Sequence, residues 1–399
     1  MPIRRPYLIA VAALAVLAAI IVPRVTNGRR PSPAVPAAAA VPLPDSLHYV
    51  PLERTTDLRA RFAADWRALS LPERKHARLI YERWIDSIGT NGIIDVVQRE
   101  SPTCHDEGHD MGKTVFTRLR DMDRALRSCD DACNSGCMHG AVMEFLSAND
   151  PRPADASGPA VASAPPATHV HQHSGGVPDS IDRMIQRNVP LICGTSAFTG
   201  MYLPGDCAHG VGHAMMFLTD YDIPKALDYC ERFISHAMRY YCATGAYMEY
   251  RSARVPAEAP VKGPLHPCAG NRYPAACFRY VFTNTVPALY RGGGTLQQLA
   301  QTCKGLPRKD ELGCFHGIGN AHVSRIARGT VRIAEICQWG DRDAQTACIE
   351  GAMERLGKFS PGVASERCQE LAGWRQEVCV SAASRKMYDL EKSFALYQR

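Results

Sequence analysis

The stretch CAHGVGHAMMF, from Cys207 to Phe217, holds two histidines four residues apart. Four residues make about one helical turn, so the imidazoles of His209 and His213 can lie on one face and bind one metal ion. His105 and His109, in CHDEGHDMG, repeat this spacing elsewhere in the chain. A His-x-x-x-His pair is half of a site for Zn²⁺, Cu²⁺ or Fe²⁺, and two such pairs with a carboxylate complete one.

Further candidate ligands emerge when six segments are aligned on their cysteine, as CMHGAVMEF, CAHGVGHAM, CATGAYMEY, CFRYVFTNT, CFHGIGNAH and CIEGAMERL. In a helix, the positions two and six residues after the cysteine lie roughly 200–240° around the axis from it. They should therefore point away from the side on which the cysteine forms a disulfide. The predicted metal ligands are His105, His109, His139, His209, His213, His316 and Glu350.

We expect the two histidine pairs to approach one centre, with His139 or His316 completing it. Ligand imidazoles donate their second ring N–H to an acceptor, and Asp106 or Asp110 is the predicted partner. Glu144 and Glu249 fall seven residues after their cysteines, on the cysteine side of the helix, and are weaker candidates.

The identity of the metal and the packing alternative stay open. Met143 and Met248 follow the same face and would favour copper, although methionine on such a helix is more often core filler. A histidine near a helix start can instead hydrogen bond to loop carbonyls of the next hairpin. Duplicated helices would then carry the histidines as a packing motif, without any ion.

The elements that must position these histidines are predicted from the 16 cysteines. Cysteines recur every 31 to 37 residues, with one step of 70 residues, at Cys104, Cys137, Cys207, Cys242, Cys277, Cys314, Cys348 and Cys379. A period of about 35 residues is typical of stacked helical hairpins. The fold prediction is therefore all-α, with tandem hairpins of about 35 residues arranged as an open solenoid or a closed α/α toroid.

Each hairpin should be closed by one disulfide between its shorter first helix and its longer second helix. The regular spacing predicts the pairs Cys230/Cys242, Cys303/Cys314, Cys337/Cys348 and Cys368/Cys379, and more loosely Cys193/Cys207 and Cys268/Cys277. Cys104, Cys129, Cys133 and Cys137 should pair among themselves, in an order that the sequence leaves open.

This arrangement over residues 90–390 resembles the disulfide-stapled Sel1-like and tetratricopeptide-type αα-repeat proteins. The resemblance rests on the period, the hairpin form and the placement of the cysteines. It implies the architecture and nothing about ligands, because the residue pattern typical of tetratricopeptide repeats is missing.

The N-terminal region predicts an exported protein. Arg4 and Arg5 precede an apolar run from Tyr7 to Val22, so residues 1–30 are predicted to be an export signal, cleaved or retained as a membrane anchor. Residues 31–50 are a Pro/Ala linker. Residues 51–399 form the helical domain, interrupted at 151–178 by a low-complexity insertion that is predicted to be disordered. An even number of cysteines in an exported chain indicates disulfides, and hence a cell-envelope protein with an inner-membrane anchor and a periplasmic or other extracytoplasmic body.

The sequence leaves two hypotheses for the function, a metal-binding protein and a scaffold for a protein or peptide partner. The net charge of +6 on 399 residues, without a dense basic stripe, argues against nucleic-acid binding. Motifs for phosphate loops, HExxH metalloproteases, nucleophile elbows and haem attachment are missing, so an enzymatic reaction is not defined. The first hypothesis is a membrane-anchored protein that binds a Zn, Cu or Fe ion through its histidines. The second is a repeat scaffold that holds a protein or peptide partner in its groove.

Overall fold

The computed structural model describes residues 52–74, 76–101, 104–150, 178–193, 204–233, 235–255 and 262–384, and these form helices and connecting turns with no β-strand. In chain order the helices are α1 (Leu52–Ala68), α2 (Leu71–Arg74), α3 (Arg78–Glu100), α4 (His105–Leu119), α5 (Met122–Ser128), α6 (Ala132–Ala148), α7 (Pro178–Cys193), α8 (Pro204–Leu218), α9 (Ile223–Cys230), α10 (His236–Ala253), α11 (Pro274–Arg291), α12 (Leu296–Lys304), α13 (Arg308–Ala321), α14 (Val323–Ala327), α15 (Ile333–Ile336), α16 (Arg342–Phe359), α17 (Pro361–Cys368) and α18 (Trp374–Ser384). The predicted all-α class is confirmed.

The predicted signal or anchor at residues 1–30, the linker at 31–50 and the insertion up to residue 177 lie outside the described residues. Within the described part of the chain, no helix is both long enough and apolar enough to cross a bilayer.

All 16 cysteines are joined in eight disulfides. The six pairs predicted from spacing, between residues 193 and 379, are confirmed. The order that the sequence left open is Cys104–Cys133 and Cys129–Cys137. The disulfides tie the fold at intervals from Cys104 to Cys379, and no thiol is free to bind metal.

Short helices with their own N-caps precede several of the longer ones. The carboxylate of Asp121 accepts the amide N–H of Arg124 at the start of α5, and Asp222 accepts that of Lys225 at the start of α9. Thr295 and Gln298 form a reciprocal capping box at the start of α12. Such caps satisfy otherwise unpaired N–H groups, so each short helix begins at a position fixed by its own sequence.

The longer helices pack side by side in chain order, from α3 through α4, α6, α8, α10, α11, α13 and α16 to α18. Their apolar sides form one continuous core, which includes the almost fully buried Val142, Ala246, Phe278, Ile318 and Met353. Side chains of α16 also reach earlier helices, because Lys358 Nζ lies 2.6 Å from Asp206 Oδ1 of α8. A side chain of α16 therefore contacts α8, which stands four helices earlier in this row.

Three pairs of neighbouring helices approach closely through reciprocal glycines, in α4/α6, α8/α10 and α13/α16. A Cβ atom at any of these glycines would lie only 1.8–2.0 Å from a backbone carbonyl oxygen of the partner helix. The six glycines are Gly112, Gly140, Gly212, Gly245, Gly319 and Gly351. At Gly140, Gly245 and Gly351 the carbonyl met is that of His109, His209 or His316, so this contact sets the position of a predicted ligand.

We expect Gly245→Ala to destabilise the protein by at least about 3 kcal/mol, because the added methyl group would force α8 and α10 apart in a filled core. Thermal unfolding measures the effect. Gly362→Ala is the matched control, since Gly362 lies in α17 with no atom near its missing Cβ. Alanine is the better helix former by about 1 kcal/mol, so this control should be neutral or stabilising. Equal effects of the two substitutions would contradict the close packing.

Candidate metal centre

Four imidazoles from three helices meet in the interior. They are His105 at the first residue of α4, His139 on α6, and His209 and His213 on α8. Each offers a ring nitrogen that lies within 4.8 Å of those of the other three, and all four side chains are buried. The His105 and His209 ring centroids are 6.4 Å apart, which is about the largest separation that two imidazoles bound to one ion at about 2.0–2.1 Å can span. The two predicted pairs do approach each other, with His139 joining them.

The outward-facing nitrogens of three of these rings have partners that can accept a proton. His105 Nδ1 lies 3.2 Å from the carbonyl oxygen of Cys133 and 3.1 Å from that of Asn134. His209 Nδ1 lies 2.7 Å from Thr244 Oγ1. That hydroxyl donates its own proton to a backbone carbonyl and so accepts from the ring. In each case Nδ1–H donates, which leaves the lone pair on Nε2.

His213 is oriented by a carboxylate, because its Nδ1 lies 2.9 Å from Glu249 Oε2. Its Nε2 then faces His209 Nε2 at 3.1 Å. Two lone pairs at this separation repel each other unless a proton or a cation lies between them. Two nitrogens bound at about 2.0–2.1 Å to one tetrahedral ion lie roughly 3.3 Å apart, so the observed spacing suits a shared ion.

Within the described ranges, the ring of His139 has no hydrogen-bond partner. Its side chain is 3% exposed, and neither ring nitrogen forms a hydrogen bond with any residue that the structure describes. Leaving buried polar atoms unsatisfied costs about 1–3 kcal/mol. The ring centroid of His139 lies 4.7 Å from that of His209 and 5.1 Å from that of His105, so its nitrogens are set among other imidazoles.

A cradle for His105 is formed by an unusual turn of the backbone. Cys133, Asn134 and Ser135 all have positive φ angles, of 52°, 53° and 62°. Non-glycine residues in this region each store of order 1–3 kcal/mol of strain. The segment is tied to the start of α4 by the Cys104–Cys133 disulfide, and its two carbonyl groups accept from His105.

The ring nitrogens are in the form that binds metals. Burial, reinforced by the neighbouring His213, lowers the pKa of His105 from 6.5 to about 4. Burial and the adjacent histidines also lower the pKa values of His109, His139 and His209 well below the usual range. At neutral pH these four rings are therefore uncharged, with a lone pair available.

Protonation should destabilise the metal-free protein. Between pH 6.5 and about 4 the unfolded chain binds a proton at His105 that the folded chain does not bind. Stability therefore rises with pH across this window, and is lost as the pH falls from about 6.5 towards 4. Denaturant unfolding of chelator-treated protein at several pH values measures this slope. The slope should be shallower in His105→Asn, and an unchanged slope would contradict the assigned cause.

A second group adjoins the first and shares one histidine with it. His109, His213 and Glu249 offer ligand atoms within 4.8 Å of one another. His109 Nε2 also lies 3.0 Å from His105 Nε2, so the two groups are in direct contact. Together they place five imidazoles and one carboxylate in one buried region.

His316 and Glu350 lie outside both groups. His316 Nε2 is 3.3 Å from Glu354 Oε2. In the register set by the paired glycines, His316 corresponds to His209, but Asn320 stands where α8 carries His213. The amide of Asn320 donates to the carbonyl of Gly351, so the third helix pair has no second imidazole to complete a site.

Two residues that orient the histidines were not predicted. Glu249 was judged a weak candidate from its place on the cysteine side of α10, yet it accepts from His213. Thr244 lies on the predicted face of α10 and accepts from His209. The predicted partners Asp106 and Asp110 do not take this role, since the acceptors of His105 Nδ1 are backbone carbonyls, and Asp110 pairs with Lys113 at 3.5 Å.

One side of the group opens onto a cavity of about 410 Å³. His105, His139 and His209 contribute to its wall, together with Met248. Met143, the other methionine on the predicted face, is 2% exposed and belongs to the core. An ion held by the imidazoles would therefore be reached from the cavity, with a thioether nearby.

Comparison of the chain with protein-family models, with curated proteins and with solved structures finds no match. The resemblance to Sel1-like and tetratricopeptide-type arrays thus rests only on period, hairpin form and cysteine placement. The function has to be argued from the site itself.

Proposed function

We propose that this chain is an extracytoplasmic helical protein that binds a transition-metal ion through His105, His139, His209 and His213. The observation that carries the proposal is the buried ring of His139, whose two nitrogens have no partner among the described residues. A packing histidine would be expected to hydrogen bond to loop carbonyls, as His105 does through Nδ1 alone. The lone pairs of the neighbouring rings point towards the same space, and a cation there would satisfy all of them.

The ligand set favours Zn²⁺, Cu²⁺ or Fe²⁺. Imidazole nitrogen suits each of these ions, and thiolate ligands are excluded because every cysteine is in a disulfide. His213 can bind one ion at a time, because its Nδ1–H donates to Glu249 and only Nε2 keeps a lone pair. A second ion in the adjoining group of His109, His213 and Glu249 would therefore leave His105, His139 and His209 to the first. The expected content is therefore one or two ions per chain.

The open side of the site supports a reactive ion over a purely structural one. Structural zinc sites are closed by four protein ligands, whereas catalytic sites keep a position for water or substrate. When His213 binds in the adjoining group, the first ion keeps three imidazole ligands, and the cavity beside His105, His139 and His209 would supply the fourth position. A metalloenzyme is the form of the proposal that this feature favours, with the metal acting as a Lewis acid or activating a bound water.

Metal analysis of purified protein without an affinity tag tests the proposal. The wild type should retain about one or two ions per chain after dialysis, and His139→Ala should lose at least one of them. His236→Ala is the matched control, because His236 is exposed at the start of α10 and should leave the content unchanged. A wild-type protein that takes up no Zn²⁺, Cu²⁺ or Fe²⁺ would return the histidines to a packing role and favour the scaffold hypothesis.

The histidine-rich tract of the insertion provides a separate prediction. Deletion of residues 153–176 removes His169, His171 and His173 and should leave the metal content unchanged, because the four buried imidazoles lie elsewhere in the chain. Surface insertions also change length at little thermodynamic cost. If the ion disappeared with the deletion, the tract would supply ligands and the buried group would be misassigned.

The rest of the proposal concerns architecture and compartment. The side-by-side packing of the longer helices and the regular disulfides support a curved array of tandem hairpins. Eight disulfides support an oxidising compartment outside the cytoplasm. Residues 1–30 are proposed to anchor the chain. Carbonate extraction tests the anchor and should leave the full chain in the membrane fraction, but a chain lacking residues 1–30 in the soluble one.

A further inference from the structure

Beyond the imidazoles, the wall of the 410 Å³ cavity is rich in cationic side chains. Arg251 comes from α10, Arg279 from α11, and Arg355 and Lys358 from α16. A cavity of this volume lies in the range of small-molecule sites, which span about 300–1,000 Å³. Four cations facing one cavity need an explanation, because buried charges are normally paired.

Two of the cations are already neutralised by neighbouring carboxylates. Lys358 pairs with Asp206 at 2.6 Å. Arg279 forms an ion pair with Glu354, which also accepts from the hydroxyl groups of Tyr240 and Tyr241. These two carboxylates are thus committed to partners of their own.

The other two guanidinium groups form no ion pair with a carboxylate of the described residues. Arg251 donates to the hydroxyl groups of Thr283 and Ser252, while its buried Nε has no hydrogen-bond partner within the described residues. Arg355 forms neither a hydrogen bond nor an ion pair with any described residue, although its side chain is half-buried. Burial, together with the positive charge of Arg279, lowers the pKa of Arg355.

Arg279 also has an N–H group that forms no hydrogen bond with the described residues. It is 9% exposed, and its Nε is buried without a partner in the described part of the chain. Asp106 and Glu107 also line the cavity, but they belong to α4 rather than to the three helices that carry the arginines. The arginine side therefore presents N–H groups that an added acceptor could satisfy.

Arg279 lies near the candidate metal ligands. The ring of Tyr280 is centred 6.1 Å from that of His209. The guanidinium carbon of Arg279 lies 5.2 Å from the centre of the same tyrosine ring. A molecule of a few carbon atoms can therefore contact the arginines at one end and the imidazoles at the other.

We infer that the cavity binds the oxyanion group, a phosphate or a carboxylate, of a small molecule through Arg251, Arg279 and Arg355. Guanidinium groups bind such oxygens in a bidentate, charge-assisted manner. The remainder of the ligand would then face His105, His139 and His209. The inference deepens the proposed function by naming its ligand class, and only this orientation towards an ion rests on that function.

Calorimetric titration of metal-free protein tests the inference, with inorganic phosphate as the first probe and succinate as the second. Binding of at least one of them is expected, and which one binds distinguishes a phosphate from a carboxylate ligand. Arg355→Gln should weaken this binding at least 10-fold, because it removes a guanidinium group of the cavity wall that forms no hydrogen bond or ion pair with the described residues. Arg251→Gln should act in the same direction. Arg328→Gln, which changes an exposed arginine outside the cavity, is the control.

Metal content measured on the same variants separates the two proposals. An Arg355→Gln protein that keeps the wild-type metal content is folded, so its loss of anion binding supports the inference. Anion binding without any metal uptake would refute the metal proposal and leave the anion site standing. Failure of both probes to bind the wild type, or equal binding by Arg355→Gln and the control, would overturn the inference.

Discussion

Removal of the metal with a chelator should lower the melting temperature of the wild-type protein by about 5 °C. An ion that binds only the folded chain stabilises it by about 4 kcal/mol when its free concentration is a thousand times the dissociation constant. For the compact unit Ser46–Arg399, an unfolding entropy of about 2.1 cal/mol/K per residue makes each kcal/mol worth roughly 1.4 °C. The physical source is the buried site itself, where unpaired nitrogens of His139 and facing lone pairs of His209 and His213 remain once the ion has left.

His213→Gln should abolish the effect of the chelator, because His213 is the one residue common to both candidate groups. Its melting temperature should resemble that of the chelated wild type, with no further fall on adding chelator. Differential scanning calorimetry, with and without chelator and after restoring each ion separately, measures this and identifies the metal. His236→Ala should behave as the wild type does. A chelator effect of equal size in His213→Gln would place the ion elsewhere.

The orientation of the predicted ligands could be predicted because a disulfide fixes the rotation of a helix. Once Cys207 is bonded to the preceding segment, His209 must point away from that segment. The argument for His209 depends only on the residues of one helix and on one covalent bond that the spacing predicts. For His139 only the position relative to Cys137 was available, because the sequence left the partner of Cys137 open.

The orienting residues could not be predicted in that way, because they belong to neighbouring long helices. Glu249 was judged a weaker candidate because it lies on the same side of α10 as Cys242. That judgement considers only the helix that the disulfide joins to α10. The close approach of α8 and α10 through Gly212 and Gly245 brings Glu249 to His213. Contacts between successive long helices depend on their packing, which spacing along the chain does not specify.

The outcome for His316 shows the limit of arguing from repetition. Its local sequence, CFHGIGNAH, is nearly that of CAHGVGHAM, and the glycine contacts are repeated as well. Two differences change the chemistry, since Asn320 replaces the second imidazole and Glu354 accepts from His316. The backbone turn at Cys133–Ser135 was equally hidden, because no glycine marks its three positive φ angles.

Reduction of the disulfides should unfold the protein at room temperature. Closing a loop of 11 residues, as Cys303–Cys314 does, lowers the entropy of the unfolded chain by an amount worth about 3 kcal/mol. The other five bridges between residues 193 and 379 close separate loops of similar length, so their contributions should be largely additive. The sum over all six bridges, about 17 kcal/mol, exceeds the 5–15 kcal/mol of net stability that is typical of folded domains.

The measurement is circular dichroism during titration with a phosphine reductant in the absence of denaturant, which should show loss of most helical signal. Removal of one disulfide by the double substitution Cys303→Ser and Cys314→Ser should cost about 3 kcal/mol and leave the protein folded. This variant is the control for the loss of one bridge instead of all of them. Mass spectrometry of non-reduced peptides should find Cys303 linked to Cys314, and Cys104 linked to Cys133. A fully reduced protein that keeps its helical signal would mean that the core between the long helices is sufficient by itself. The histidines would then be positioned by helix packing alone, and metal binding should survive reduction.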